Sequence, residues 1–216
     1  MKGTEKLNFA REYLAEKDYE NARRCYMEAS EAGNYFATYD LGCMYYFGDG
    51  VERDEGVSYG WFTKAAQQGD PEATNRVGVM REQGIGTPVD LPSAFTAYLR
   101  SAQMGSLSGM ANVALCYLEG KGTAADLPLG LEWMERASLG GNGVASLLLG
   151  DYYREGRYLT QDPEQARIRY ERGMAQKYAP AILRLAQLYQ EGIGVVRDQE
   201  EAARLRRLAE ETPDED

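Results

Sequence analysis

The sequence predicts an all-α fold, a solenoid of about six stacked helix–turn–helix units with a 36-residue period. Three observations predict it. Small, aliphatic and aromatic residues return every 36 positions from Tyr35 onward without insertion or deletion. Glycines punctuate each unit at the same places. The composition is that of a folded chain, 44% apolar and 27% charged with only 7 prolines, and the length of 216 is six such periods.

The first helix of each unit carries one apolar stripe. Ala37 recurs as Ala73, Gly109, Ala145 and Ala181, and Leu41 as Val77, Val113, Leu149 and Leu185. Gly42 recurs as Gly78, Ala114, Gly150 and Ala186, and Tyr45 as Arg81, Tyr117, Tyr153 and Tyr189. These positions have i, i+4, i+5, i+8 spacing, one face of a helix. The small residues should let a neighbouring helix approach, with the tyrosine filling the gap beside them.

The turn follows. Gly48, Gly84, Gly120, Gly156 and Gly192 suit a helix C-cap that needs positive φ, and Gly50, Gly86, Gly122 and Gly194 recur two residues on, interrupted only by Tyr158. Asp54, Asp90, Asp126, Asp162 and Asp198 then stand where a carboxylate caps or favours the start of the second helix. Ser58, Trp61, Phe62, Ala65 and Ala66 form one face of that helix, whose end is marked by Gly69 and its echoes Gly33, Gly105 and Gly141. One such hairpin cannot bury its apolar faces alone; stacking stabilises it.

The run A-x-x-x-L-G-x-x-Y-x-x-G-x-G-x-x-x-D, with A-x-x-W and A-A-x-x-G after it, resembles the Sel1-like repeat family, a relative of the tetratricopeptide repeat. The resemblance covers five units, at 35–70, 71–106, 107–142, 143–178 and 179–209. Residues 1–34 resemble a tetratricopeptide unit instead, with Ala10, Tyr13, Tyr19, Ala22, Tyr26 and Ala29 around a short turn. The resemblance implies a right-handed α/α solenoid, a single domain over 1–209, followed by an acidic tail at 210–216. The slot of Phe62, Tyr98, Met134 and Tyr170 becomes Arg206, as suits a solvent-facing terminal cap.

Several function classes are disfavoured. There is no histidine, which removes Ser-His-Asp and Cys-His nucleophiles, His-liganded zinc and imidazole acid–base chemistry. The formal charge of −10 argues against nucleic acid and anionic membrane surfaces as partners, although Glu210, Glu211, Asp214, Glu215 and Asp216 carry half of it. Cys25, Cys43 and Cys116 have unrelated spacings and read as free thiols in a reducing compartment. Met1 to Leu14 lacks an apolar signal core, and Val144 to Leu149 is too short to span a bilayer, so cytoplasmic residence is expected.

The Gly-x-Gly turns, such as Gly84-Ile85-Gly86, recur as caps with no preceding strand, unlike phosphate loops, and the recurrent aspartates read as caps rather than metal ligands. Trp61 and Trp133 share one slot and read as interhelical packing. No catalytic residue, cofactor or metal site is assigned, and the chain is expected not to be an enzyme.

In tetratricopeptide-like solenoids the first helices line a concave face. By that resemblance the inward slots fall at positions 36, 39, 43 and 46 of each frame. The candidate partner-binding residues are Phe36, Tyr39, Cys43 and Tyr46 with adjacent Phe47, then Glu72, Asn75 and Glu82, Leu115 and Leu118, and Leu147, Asp151 and Arg154. This groove should be largely uncharged, with Arg154 its one cation and aromatics massed at its N-terminal end. Those aromatics are either an exposed protein-binding hot spot or buried against the first unit. The lysines of a carboxylate clamp are missing. What the resemblance implies is an adaptor, bacterial in character, holding a peptide segment or effector domain of a partner protein. The alternatives are an immunity protein that neutralises a toxin or effector, and a regulatory subunit of an enzyme.

Overall fold

The computed structural model describes residues 2–213. Among them are twelve helices: α1 (Lys2–Ala15), α2 (Tyr19–Glu31), α3 (Tyr35–Phe47), α4 (Glu55–Gln67), α5 (Pro71–Gln83), α6 (Leu91–Gln103), α7 (Leu107–Glu119), α8 (Leu127–Gly140), α9 (Gly143–Glu155), α10 (Pro163–Ala175), α11 (Ala179–Glu191) and α12 (Gln199–Glu211). They pair into six hairpins of about 36 residues in the stacked arrangement of a solenoid. Helix α12 runs through Glu211, so Glu210 and Glu211 of the expected tail are helical; Asp214, Glu215 and Asp216 lie outside the described residues.

The chain divides into two compact units, Met1–Gly109 with Lys121–Thr123, and Met110–Gly120 with Ala124–Asp216. In the first, α3 packs on α4 and α5 on α6, and the hairpins meet through α2 with α3 and α4 with α5. In the second, α9 packs on α10 and α11 on α12, with α10 against α11 and α9 against α11 between hairpins.

Each expected helix boundary has a physical cause. The carboxylates of Asp18, Asp54, Asp90, Asp126, Asp162 and Asp198 all accept from backbone N–H groups in the first turn of the second helix, at 2.9 to 3.2 Å. Such a cap contributes about 1 kcal/mol. The same residue closes the turn, since the Asp54 N–H donates to the Tyr45 carbonyl at 3.0 Å, as Asp90, Asp126, Asp162 and Asp198 do to Arg81, Tyr117, Tyr153 and Tyr189. A second cap series starts the first helices: Asn34, Asp70, Ser106 and Asn142 accept from N–H groups two or three residues on. Tyr178 breaks it and makes no side-chain cap bond.

Packing inside the hairpin follows one rule. A Cβ built on Gly42 would lie 2.8 Å from the Phe62 ring, and on Gly78 2.6 Å from Tyr98; on Gly150 it would meet Tyr170. The ring filling the space beside each glycine therefore comes from the second helix, which corrects the expectation that Tyr45 fills it. Where the first helix carries Ala114 or Ala186, the second offers unbranched Met134 or Arg206. Arg206 is exposed, as a terminal position should be, and its guanidinium donates to Gln190 Oε1.

Three pairs of consecutive second helices, α2–α4, α4–α6 and α8–α10, are joined by cations at one slot. Lys64 Nζ donates to Ser30 Oγ at 3.1 Å, Arg100 to the Ala66 carbonyl at 3.3 Å and Arg172 to Ser138 Oγ at 3.2 Å. Gln176 adds a bond to the Ser138 carbonyl at 2.7 Å. Each places a donor at the C-terminal end of the preceding second helix, where carbonyls lack partners and the helix dipole favours positive charge. Trp61 packs on the α1–α3 core beneath Lys64, 4.9 Å from its ring centre, and Trp133 packs on the α7–α9 core beneath Arg136 at 4.2 Å.

Candidate functional site

The candidate residues fall into two groups, one in each unit. In the first unit α3 presents an aromatic face because slots 36, 39, 43 and 46 lie on one side of it. Phe36 is 50% and Phe47 65% exposed. Tyr39, Cys43 and Tyr46 are half-buried against the core of Phe62, Ala65, Val77 and Met80. The outer two rings are thus exposed, and what covers the inner three is α4 and α5, not the first hairpin against which burial was the alternative expectation. Tyr39 stands edge-on to Phe62 at 5.0 Å between ring centres, and Tyr46 edge-on to Phe47 at 5.1 Å.

Two guanidiniums flank Tyr46, those of Arg53 at 5.8 Å and Arg76 at 5.9 Å from its ring centre. Arg53 is paired with Glu55 at 2.6 Å. Arg76 also lies beside the Tyr39 hydroxyl and the Cys43 thiol. Burial pushes that thiol up to about 11, so it is neutral at pH 7. Glu72 is exposed and Asn75 half-buried on α5. Glu82 accepts from the Tyr98 hydroxyl at 2.6 Å and pairs with Lys121 at 3.5 Å.

In the second unit Leu115 and Leu147 are half-buried. Leu118 does not belong to a binding face: it is 7% exposed within the core that holds Met134, with its methyls over Gly130. Met134 brings no hydroxyl to that end of the hairpin, and an apolar slot-46 residue packs down instead of facing out.

Asp151 and Arg154 form a closed network. One Asp151 oxygen accepts from the Tyr170 hydroxyl at 2.7 Å and is ion-paired with Arg184 Nε at 3.2 Å and Arg154 at 3.8 Å. Arg154 donates also to Gln187 at 3.3 Å and Glu155 at 3.2 Å. Burial and the adjacent Asp151 carboxylate raise the Tyr170 phenol above its ordinary range. Arg154 is therefore not the one cation of these faces. Arg76 and Arg184, in the slot after Tyr39, were missed because Asp40, Asn112 and Leu148 fill that slot elsewhere.

Cys25 and Cys116 are buried thiols. Among the described residues no cluster of three or more His, Cys, Asp or Glu could hold a metal ion, and no helix is long and apolar enough to cross a membrane.

A family model described as Sel1 repeat matches residues 10–34, 36–70, 71–106, 107–142, 143–172 and 179–210. The match includes the first hairpin, whose short turn looks tetratricopeptide-like. A Sel1 repeat protein from Oxalobacter formigenes is 29% identical with a TM-score of 0.85, over 98% of this chain and 88% of that one. A protective antigen present in uropathogenic Escherichia coli strains is also 29% identical, with a TM-score of 0.81 over 97% of this chain. The chain spans 46% of that antigen's length. An immunity protein from Pseudomonas aeruginosa shares the fold at 21% identity, with a TM-score of 0.66 over 88% of this chain and 73% of that one. No match is found among curated proteins.

Proposed function

The chain belongs to the Sel1 repeat family, and from that premise we propose that it is a non-catalytic adaptor that holds a segment of a partner protein on its first-helix face. The supporting observation is the surface of α3, where exposed Phe36 and Phe47 flank half-buried Tyr39 and Tyr46 on a single helix face. Aromatic side chains anchored at their base and open at their tip provide contact area at little ordering cost, the composition of binding hot spots. Repeat scaffolds suit this work because their stacked helices hold side chains rigidly over an extended surface.

The test is calorimetry on a partner captured from the native host and then purified. The double variant Phe36→Ala/Phe47→Ala removes only exposed rings. It should weaken binding by about 30-fold or more, the effect of truncating hot-spot residues worth about 2 kcal/mol. Unchanged affinity would assign the interaction to another surface.

A second reading, an immunity protein whose partner is a cognate toxin or secreted effector, draws on the immunity proteins among structures that share this fold. Co-expression with the gene's neighbours separates the two: suppressed toxicity favours inhibition. Cytoplasmic residence is proposed with either reading, on the three free cysteines.

A further inference from the structure

The two units carry the same three slots with different chemistry. Three periods separate Arg76 from Arg184, Cys43 from Asp151 and Phe62 from Tyr170. In the second unit the arginine finds a carboxylate from its own chain, Arg184 Nε lying 3.2 Å from Asp151 Oδ1, and the Tyr170 hydroxyl donates to that oxygen. In the first unit both acidic and hydroxyl groups are replaced. Arg76 faces the neutral Cys43 thiol, and Phe62 brings no hydroxyl.

Arg76 thus has no ion-pair partner among the described residues. Nearby acids are otherwise placed: Asp40 pairs with Arg11 at 3.5 Å, and Glu72 is exposed one turn away on α5. The guanidinium is held between the Tyr46 ring and the Tyr39 hydroxyl. A guanidinium packed on aromatic rings keeps its planar fork for a carboxylate and loses little freedom when it binds one.

We propose that Arg76 is the anion-recognising residue of the α3–α5 face and takes an aspartate or glutamate side chain of the bound segment. The inference rests on the adaptor reading of this face and specifies its partner: an acidic residue flanked by an apolar or aromatic one, the carboxylate on Arg76 and the apolar group against Phe36 or Phe47. Asp151 shows, inside the same chain, the group that this slot accepts. The protein's overall charge of −10 makes an acidic partner the unexpected choice, which is why one half-buried cation without an ion pair matters here.

The probe is a phage-displayed library of random peptides, selected on the intact protein and followed by calorimetry with the best synthetic peptide. Wild-type protein should enrich peptides with an acidic residue beside an apolar one. Arg76→Gln should weaken binding at least tenfold, and changing the peptide's acid to its amide should do the same to wild type. Made together, the two changes should cost little more than either alone. Because Arg76 also packs on Tyr46, a second variant leaves it intact. Cys43→Asp places the Asp151 carboxylate in the first unit and should compete for Arg76, cutting affinity at least tenfold, whereas Cys43→Asn, which brings no charge, should cost clearly less than Cys43→Asp. Peptides that bind without an acidic residue, or full affinity in Cys43→Asp, overturn the inference. If binding then still depends on Phe36 and Phe47, the adaptor face stands and only its chemistry was misassigned. No enrichment at all overturns both.

Discussion

The Tyr98 ring lies where a side chain on Gly78 would have to be: a Cβ there would stand 2.6 Å from Tyr98 Cε1. The ring fills the hairpin down to the α5 backbone, and its hydroxyl emerges at the first-helix end to donate to Glu82 at 2.6 Å. Gly78→Ala should destabilise the protein by about 1–3 kcal/mol through overpacking. Tyr98→Met, which copies the Ala114–Met134 hairpin, should relieve that clash, so the double variant should be more stable than the two single effects predict by about 1 kcal/mol. Urea unfolding of the four proteins measures the coupling. Simple additivity would show that ring and glycine are not matched.

Lys177 occupies the slot of Gly33, Gly69, Gly105 and Gly141 and holds the same left-handed conformation, φ 56°. A Cβ at Gly33, Gly69 or Gly105 would meet nothing within 4 Å, so the demand at this slot is on the backbone and not on space. A side chain in this region costs about 1–2 kcal/mol, offset in part by the greater freedom glycine has when unfolded, about 0.5–1 kcal/mol. Lys177→Gly should therefore raise stability by about 0.5–1 kcal/mol, read from the urea midpoint at constant slope. A lower midpoint would mean that the lysine side chain contributes more than the strain costs.

Alkali should unfold the protein sooner than its net charge suggests. Burial raises the Cys43 thiol from 9.0 to about 11 and the Tyr152 phenol from 10.0 to about 12, and raises Tyr26, Tyr39 and Tyr170 as well. These acids keep their protons in the fold after the unfolded chain has lost them. The native state then binds more protons than the unfolded one, so stability falls as pH rises. The decline should start near pH 9, where the unfolded thiol titrates, and steepen above pH 10 as the unfolded phenols follow. Urea midpoints should be level near about pH 8 and fall from about pH 9 to about pH 11; a flat profile would mean that these groups titrate alike in both states.

The fold was legible because its determinants repeat. A position that must be small beside a ring, or must cap a helix, carries the same residue type every 36 positions, and alignment of the chain with itself exposes it. The site was less legible for the same reason. Slot 40 holds Asp40, Arg76, Asn112, Leu148 and Arg184, and that variety hid Arg76 and Arg184 although both reach the face. Leu118 was misplaced because an apolar side chain in slot 46 gains by packing into its hairpin; Tyr98 bonds Glu82 and Arg206 bonds Gln190 in that slot, whereas Met134 offers Leu118 only apolar contact. The cap series Asn34, Asp70, Ser106 and Asn142 was visible in the letters and passed over.

The cation slot at Lys64, Arg100 and Arg172 has an evolutionary consequence. Each of these side chains reaches backward, to the end of the second helix that precedes it. A duplicated stretch of 36 residues that carries this cation therefore arrives already equipped to fasten itself to its predecessor, and leaves its own helix end open for the next copy. Growth by whole periods needs no compensating change elsewhere, while a gain or loss of a few residues strands the donor away from its carbonyl.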